Sequence, residues 1–291
     1  MWFSRKLASL LCLITSAAIL GATSACGVTI RDDQADQDYL DLGASPDYAC
    51  VGTFASGLTG CATLIAPNWV LTAAHLFVAS SGTFTINGGT YAADQLIKHP
   101  QFVSGQELQG YDMGLAHPTT PVSGVTPAMP YSGSLEPVSM MTFVGFGLTG
   151  TGLTGATRAD FKKRAFQNLA DGDFGDPGVL LGADFDNPHS AADNHFGDPT
   201  PLLLEGCVAY GDSGGGVFLS ADSVTYLAGV ISFVAAIDGN GNADYGDLTG
   251  FGRVSAFNDW IDTTIPEPSA VGLAVLGVAC LWFVRRSTCI K

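Results

Sequence analysis

Basic residues are scarce. The 291-residue chain carries 12 Lys and Arg against 27 Asp and Glu, a formal net charge of −15. Over residues 27–265 the imbalance deepens to seven against twenty-six, or −19. Such a surface repels phosphate backbones and excludes nucleic acid as a partner, while it favours solubility. Helical periodicity is scarce as well. Only residues 256–263, with Phe257, Trp260 and Ile261 at helical spacing, read as a helix. Long apolar runs are scarce: residues 7–20 fall short of a comfortable membrane span, and residues 270–284 are short but reach a tilted or locally thinned transmembrane span with their flanking residues. No internal repeat occurs. Asp184, Asp186, His189, Asp193, His195 and Asp198 match no zinc-ligand spacing. They read as an acidic solvated loop, and no metal or cofactor is expected.

Short apolar runs punctuated by Gly, Pro, Asn and Asp are plentiful, which reads as all-β. Candidate strands fall at residues 49–54, 61–65, 69–72, 82–86, 139–145, 217–219 and 224–231. The low-complexity stretch 149–155 reads as a surface loop. The basic run Lys162-Lys163-Arg164 reads as a solvated loop or strand edge. His99 and His117 each precede proline and read as structural. Residues 238–247 alternate oxygen-bearing side chains like a calcium loop, but lack the glycine and the bidentate glutamate that such a loop needs. A turn-rich hairpin is the better reading.

Three segments carry chemistry. In Tyr210-Gly211-Asp212-Ser213-Gly214-Gly215-Gly216, glycines let the backbone turn sharply around a serine. A serine hydroxyl is a poor nucleophile unless a base is held against it and donors face the oxyanion its attack creates. Val70-Leu71-Thr72-Ala73-Ala74-His75 ends an apolar run on a histidine, and Gly110-Tyr111-Asp112-Met113-Gly114 sets a carboxylate among apolar neighbours.

In this order and spacing the motifs resemble the trypsin/chymotrypsin family of serine proteases, and the likeness spans residues 48–261. It implies two six-stranded antiparallel β-barrels with a short C-terminal helix and the site in the cleft between the barrels. Ser213 would be the nucleophile, His75 the general base and acid, and Asp112 the group that fixes the imidazole tautomer. The N–H groups of Gly211 and Ser213 would form the oxyanion hole. The expected activity is that of a cofactor-independent serine endopeptidase acting on proteins or peptides. An esterase, or a matrix or adhesion protein without catalysis on the same scaffold, are the alternatives.

Departures from the family pattern are informative. Leu76 stands where the family has a cysteine after the histidine, so the disulfide that often braces it is absent. Cys50 and Cys61 flank a hairpin turn, and export would permit a bridge between them. The family's Asp before the nucleophile pairs with a new N-terminus, yet no Ile-Val-Gly-Gly start exists here, which leaves the partner of Asp212 open. By alignment to the family, the substrate pocket would take Cys207 at its base, Val234 and Thr249 on its walls, and the backbone at Ser232 and Phe233. Without a fixed charge at Cys207, small apolar residues are expected before the cut.

Residues 1–25 read as a secretory signal: Arg5 and Lys6, an apolar run, then small residues. Residues 266–291 combine Pro266-Glu267-Pro268, an apolar run and Arg285-Arg286. They resemble a PEP-CTERM sorting signal, which implies an exosortase-type processing enzyme and transient membrane anchoring through the C-terminal segment. A plain membrane anchor is the alternative. Between them lies a protease-like domain, 26–265. The expected location is exported: cell surface, extracellular matrix or secreted.

Overall fold

The computed structural model describes residues 27–265. The segments read as the secretory signal and the sorting signal lie outside the described residues.

The first half is a closed barrel of six strands: β1 (Val51–Ala55), β2 (Thr59–Ala66), β3 (Trp69–Thr72), β4 (Gly82–Ile86), β5 (Gly89–Lys98) and β6 (Gly114–Pro118). The neighbour order is β1-β2-β3-β6-β5-β4, closed where β1 meets β4 through Phe54↔Phe84. Period-two alternation drives it. In β4, Phe84 and Ile86 are buried while Thr83 and Thr85 face solvent. Closure also removes the exposed edges of an open sheet.

The second half is an open half-barrel: β7 (Met140–Gly145), β8 (Arg164–Leu169), β9 (Leu180–Asp184), β10 (Gly216–Ala221), β11 (Val224–Ala235) and β12 (Leu248–Arg253), in the order β8-β7-β10-β11-β12-β9. Its core is aromatic. The Phe143 ring stacks on Phe166 at 4.7 Å and meets Phe251 edge-on at 5.2 Å, geometries the ring quadrupoles favour. The all-β, chymotrypsin-like class expected from the sequence is the architecture observed. From Phe257 onward the described residues belong to a second unit. Its described part holds helix α2 (Asn258–Thr264), close to the expected helix. No helix among the described residues is long and apolar enough to cross a membrane.

Three local expectations are corrected and one open question, the Cys50–Cys61 bridge, is answered. Stretch 149–155 is not simply a surface loop. Thr149–Thr151 is a strand pairing parallel with Thr29–Ile30, and the buried Thr149 hydroxyl donates to the Val28 carbonyl at 2.7 Å. The basic run is not uniformly solvated. Arg164 is fully buried, forked onto Asp36 and Asp160 at 2.6–2.9 Å. Asp36 opens α1 (Asp36–Gly43), a helix too short to show a period in sequence. Nor are the acidic residues of 184–198 all solvated. Asp184 and Asp186 are buried, and Asp184 Oδ2 accepts the N–H groups of His195 and Phe196 at 2.6 and 2.8 Å. Finally, Cys50 and Cys61 are not bridged. Cys61 pairs with Thr53, so Cys50 sits three positions away, about 10 Å along the strand, beyond the ~7 Å Cα limit for a disulfide.

Candidate active site

Strand pairing brings His75 and Asp112 together. Thr72, the last residue of β3, lies opposite Gly114, the first of β6. The chain leaving β3 turns into a short 3₁₀ segment, Ala74–Leu76, and Asp112 sits two residues before β6. The His75 Nδ1–H donates to Asp112 Oδ2 at 2.6 Å, and the His75 backbone N–H donates to Oδ1 at 2.8 Å. Asp112 thereby holds the ring at Nδ1 and the backbone at its N–H, and leaves Nε2 as the available nitrogen. Burial opposes charge on His75, but the Asp112 carboxylate outweighs it and holds the imidazole pKa above its ordinary value. Burial likewise pushes the Asp112 carboxyl up, and the His75 charge and hydrogen bonds outweigh that, leaving it below the usual range.

A third donor reaches Asp112. The Ser232 hydroxyl donates to Oδ2 at 2.6 Å. The pairing of β11 with β12 shifts register between Ile231 and Phe233, so Ser232 is the extra residue of a bulge. Bulges re-aim side chains. Ser232 was expected only as a pocket residue. Its bond to Asp112 leaves no mark in a linear pattern, because it depends on which residue bulges.

Ser213 sits on a turn clamped between the halves. The Cys61 N–H of β2 donates to the Ser213 carbonyl at 2.7 Å, and the Gly214 N–H donates to the Ile231 carbonyl at 2.7 Å. Gly214 has φ +82° and lies against Cys61, Thr72 and Ala73, where a Cβ has no room. This places the serine turn against the segment that leads into His75. The Ser213 hydroxyl is 3.5 Å from the Ser232 carbonyl. The structure shows no hydrogen bond from it to His75 Nε2 among the described residues. Such bonds often form only once substrate is in place.

The Asp212 N–H donates to the Ala209 carbonyl at 3.0 Å, and Gly211 has φ +97°. This is a type II pattern, whose third residue needs positive φ. The N–H groups of Gly211 and Ser213 have no protein acceptor among the described residues. Asp212 itself is fully buried. Its Oδ1 accepts from Gly147 N at 2.6 Å and its Oδ2 from Ala209 N at 2.8 Å. Burial pushes its pKa well up, and these backbone donors pull the other way. The open question about Asp212 thus has a structural answer: backbone amides hold it.

The expected pocket residues converge in part. Val234 pairs with Thr249, and Phe233 with Gly250. The Cys207 thiol lies 3.4 Å from Thr249 Oγ1. Burial pushes the Cys207 thiol strongly up, so it carries no charge at neutral pH. Cys207 packs with Phe185, Ala209 and Ala243, and Val234 and Tyr245 lie against this cluster. Phe185, Ala243 and Tyr245 were not anticipated. They come from loops whose docking depends on backbone bonds such as Gly246 N to the Phe185 carbonyl, 2.8 Å. In the 238–247 loop, polar side chains serve the loop itself: Asn240 N donates to Asp238, and Asn242 Nδ2 to Asp244. That fits the turn-rich reading.

No family model matches the sequence. Among solved structures, the chain is similar to HL collagenase, with TM-score 0.55, 20% identity, and coverage of 75% of this chain and 95% of that one. At that identity the likeness speaks for the fold.

Proposed function

We propose that this chain is an exported serine endopeptidase that cleaves peptide bonds with Ser213, His75 and Asp112. The observation that carries the reading is the Asp112 carboxylate, which holds both the His75 ring and its backbone beside the Ser213 turn. In the reaction, Ser213 Oγ attacks the substrate carbonyl carbon as its proton passes to His75 Nε2. Asp112 stabilises the imidazolium, and the N–H groups of Gly211 and Ser213 receive the oxyanion. The tetrahedral intermediate collapses by breaking the C–N bond, and His75 gives its proton to the leaving amine. Water, deprotonated by His75, then hydrolyses the acyl-enzyme and restores Ser213.

Substrate choice follows from the pocket. A Lys or Arg buried over an uncharged Cys207 would lose its hydration without gaining a counter-ion. Val234, Thr249 and the packed cluster behind them leave little room for a large ring. Small apolar residues such as Ala or Val are favoured before the cut. Residues 1–25 would direct export, and residues 266–291 would be removed by an exosortase-type enzyme at the outer face of the membrane.

Steady-state assay of the purified protein on peptide libraries tests the reading. Ser213→Ala is expected to lose about six orders of magnitude in turnover with its fold unchanged by circular dichroism. Undiminished peptidase activity in that variant would remove Ser213 from the mechanism.

A further inference from the structure

Lys163 differs from every other cation withdrawn from solvent among the described residues. Arg31 pairs with Asp33, Arg164 with Asp36 and Asp160, and Arg253 with Glu136. Lys98 and Lys162 are exposed. Lys163 is partly buried and has no carboxylate partner among the described residues. Its ammonium donates to the Tyr48 carbonyl and lies 6.0 Å from the centre of the Phe146 ring. Burial pushes its pKa down to about 8, so the cation persists at neutral pH but is poorly solvated.

Lys163 is one of the residues lining a half-open cavity of about 410 Å³ between the first barrel and the segments around Phe146 and Lys163. Val51, Thr53, Thr85, Val125 and Phe146 contribute to its wall, and none of the described residues lining it is acidic. The volume falls in the range of small-molecule sites. One cation set in a mostly apolar wall is the pattern that binds an anion with an apolar body. The charge gains a partner, and the hydrocarbon leaves water. A cation without a carboxylate partner can take a counter-ion from outside, and this local attraction works against the −19 carried by residues 27–265. A strongly hydrated ion such as phosphate would give up its water against an apolar wall, which disfavours it.

We propose that this cavity is a binding site for a monocarboxylate with an apolar body, its carboxylate paired with Lys163. The inference stands apart from the catalytic reading, because no triad or pocket residue lines the cavity.

Titration calorimetry with octanoate on the purified protein tests it, with 1-octanol and inorganic phosphate as comparison probes. Octanoate is expected to bind saturably, about tenfold or more tighter than octanol, with phosphate silent. Lys163→Met keeps an apolar stem and removes the charge, and should weaken octanoate to the level of octanol. Val125→Trp keeps Lys163 but fills the cavity, and should abolish binding. It decides the question if Lys163→Met proves unstable in a thermal melt. Absence of saturable octanoate binding would overturn the site, as would equal affinity for octanol or binding indifferent to both variants.

Discussion

At the scale of single residues, the candidate chemistry turns on one carboxylate. Asp112 accepts three hydrogen bonds, two from His75 and one from Ser232. Hydrogen bonds to a charged group are each worth about 1.5–3 kcal/mol, enough to hold an ionised carboxylate away from water. The consequence is a raised His75 pKa. Since a general base works only when neutral, kcat/KM should rise with pH through an apparent pKa above that of a free imidazole. Asp112→Asn removes the charge that supports the imidazolium. It should lower kcat by about four orders of magnitude and move the acid limb to lower pH. A pH–rate profile of both forms checks this, and an unmoved limb would show that Asp112 does not tune His75. The approach of His75 to Asp112 was legible in the sequence because each sits in a local motif. Ser232's bond to Asp112, the amides that hold Asp212, and the burial of Arg164 were not. Each depends on at least one partner 65 or more residues away.

At the scale of elements, two devices assemble the site. The β3–β6 pairing aligns the exits that carry His75 and Asp112, and the β11 bulge aims Ser232. The same β11–β12 ladder sets Val234 across from Thr249. Removing the Val234 side chain should therefore open the pocket without disturbing Asp112. Val234→Gly is expected to raise cleavage after Leu or Phe relative to Ala, read from peptide-library profiles. A profile unchanged by the substitution would mean that Val234 does not face the substrate. Strands with compact apolar alternation were read at their true bounds, such as Trp69–Thr72 and Gly82–Ile86. Others were hidden. β12 carries Gly250 and Gly252, which read as turn signals, yet Gly250 lies so close to the Phe233 ring that a side chain would collide with it. β5 alternates too many polar residues to stand out. A glycine selected by close packing looks, in sequence, like a glycine selected by a turn.

At the scale of the whole molecule, the acidic excess is divided into two classes of carboxyl group. Asp36, Asp160, Glu136 and Asp112 lie below the usual range, with arginine or histidine partners. Others face burial and one another. Asp171 and Asp247 are pushed up to about 7, Asp186 to about 6 and Glu205 to about 8. Unfolded carboxyl groups titrate near pH ~4. The first class contributes stability above that pH and loses it as pH falls through the folded values. The second contributes stability that is full below pH ~4 and lost as pH rises through about 6 to 8. Stability should therefore peak in mildly acidic solution and decline toward pH 8, which urea denaturation across that range would measure. Glu205→Gln should flatten the decline. Stability that rises steadily from pH 5 to 8 would contradict this division. The central claim, that a His75–Asp112 pair activates Ser213, is tested most directly by covalent labelling. Purified protein is treated with a fluorophosphonate and the modified peptide identified by mass spectrometry. The account predicts one adduct, on Ser213, formed rapidly in the parent protein and lost when His75 is replaced by alanine. An unlabelled Ser213, or labelling indifferent to His75, would contradict it.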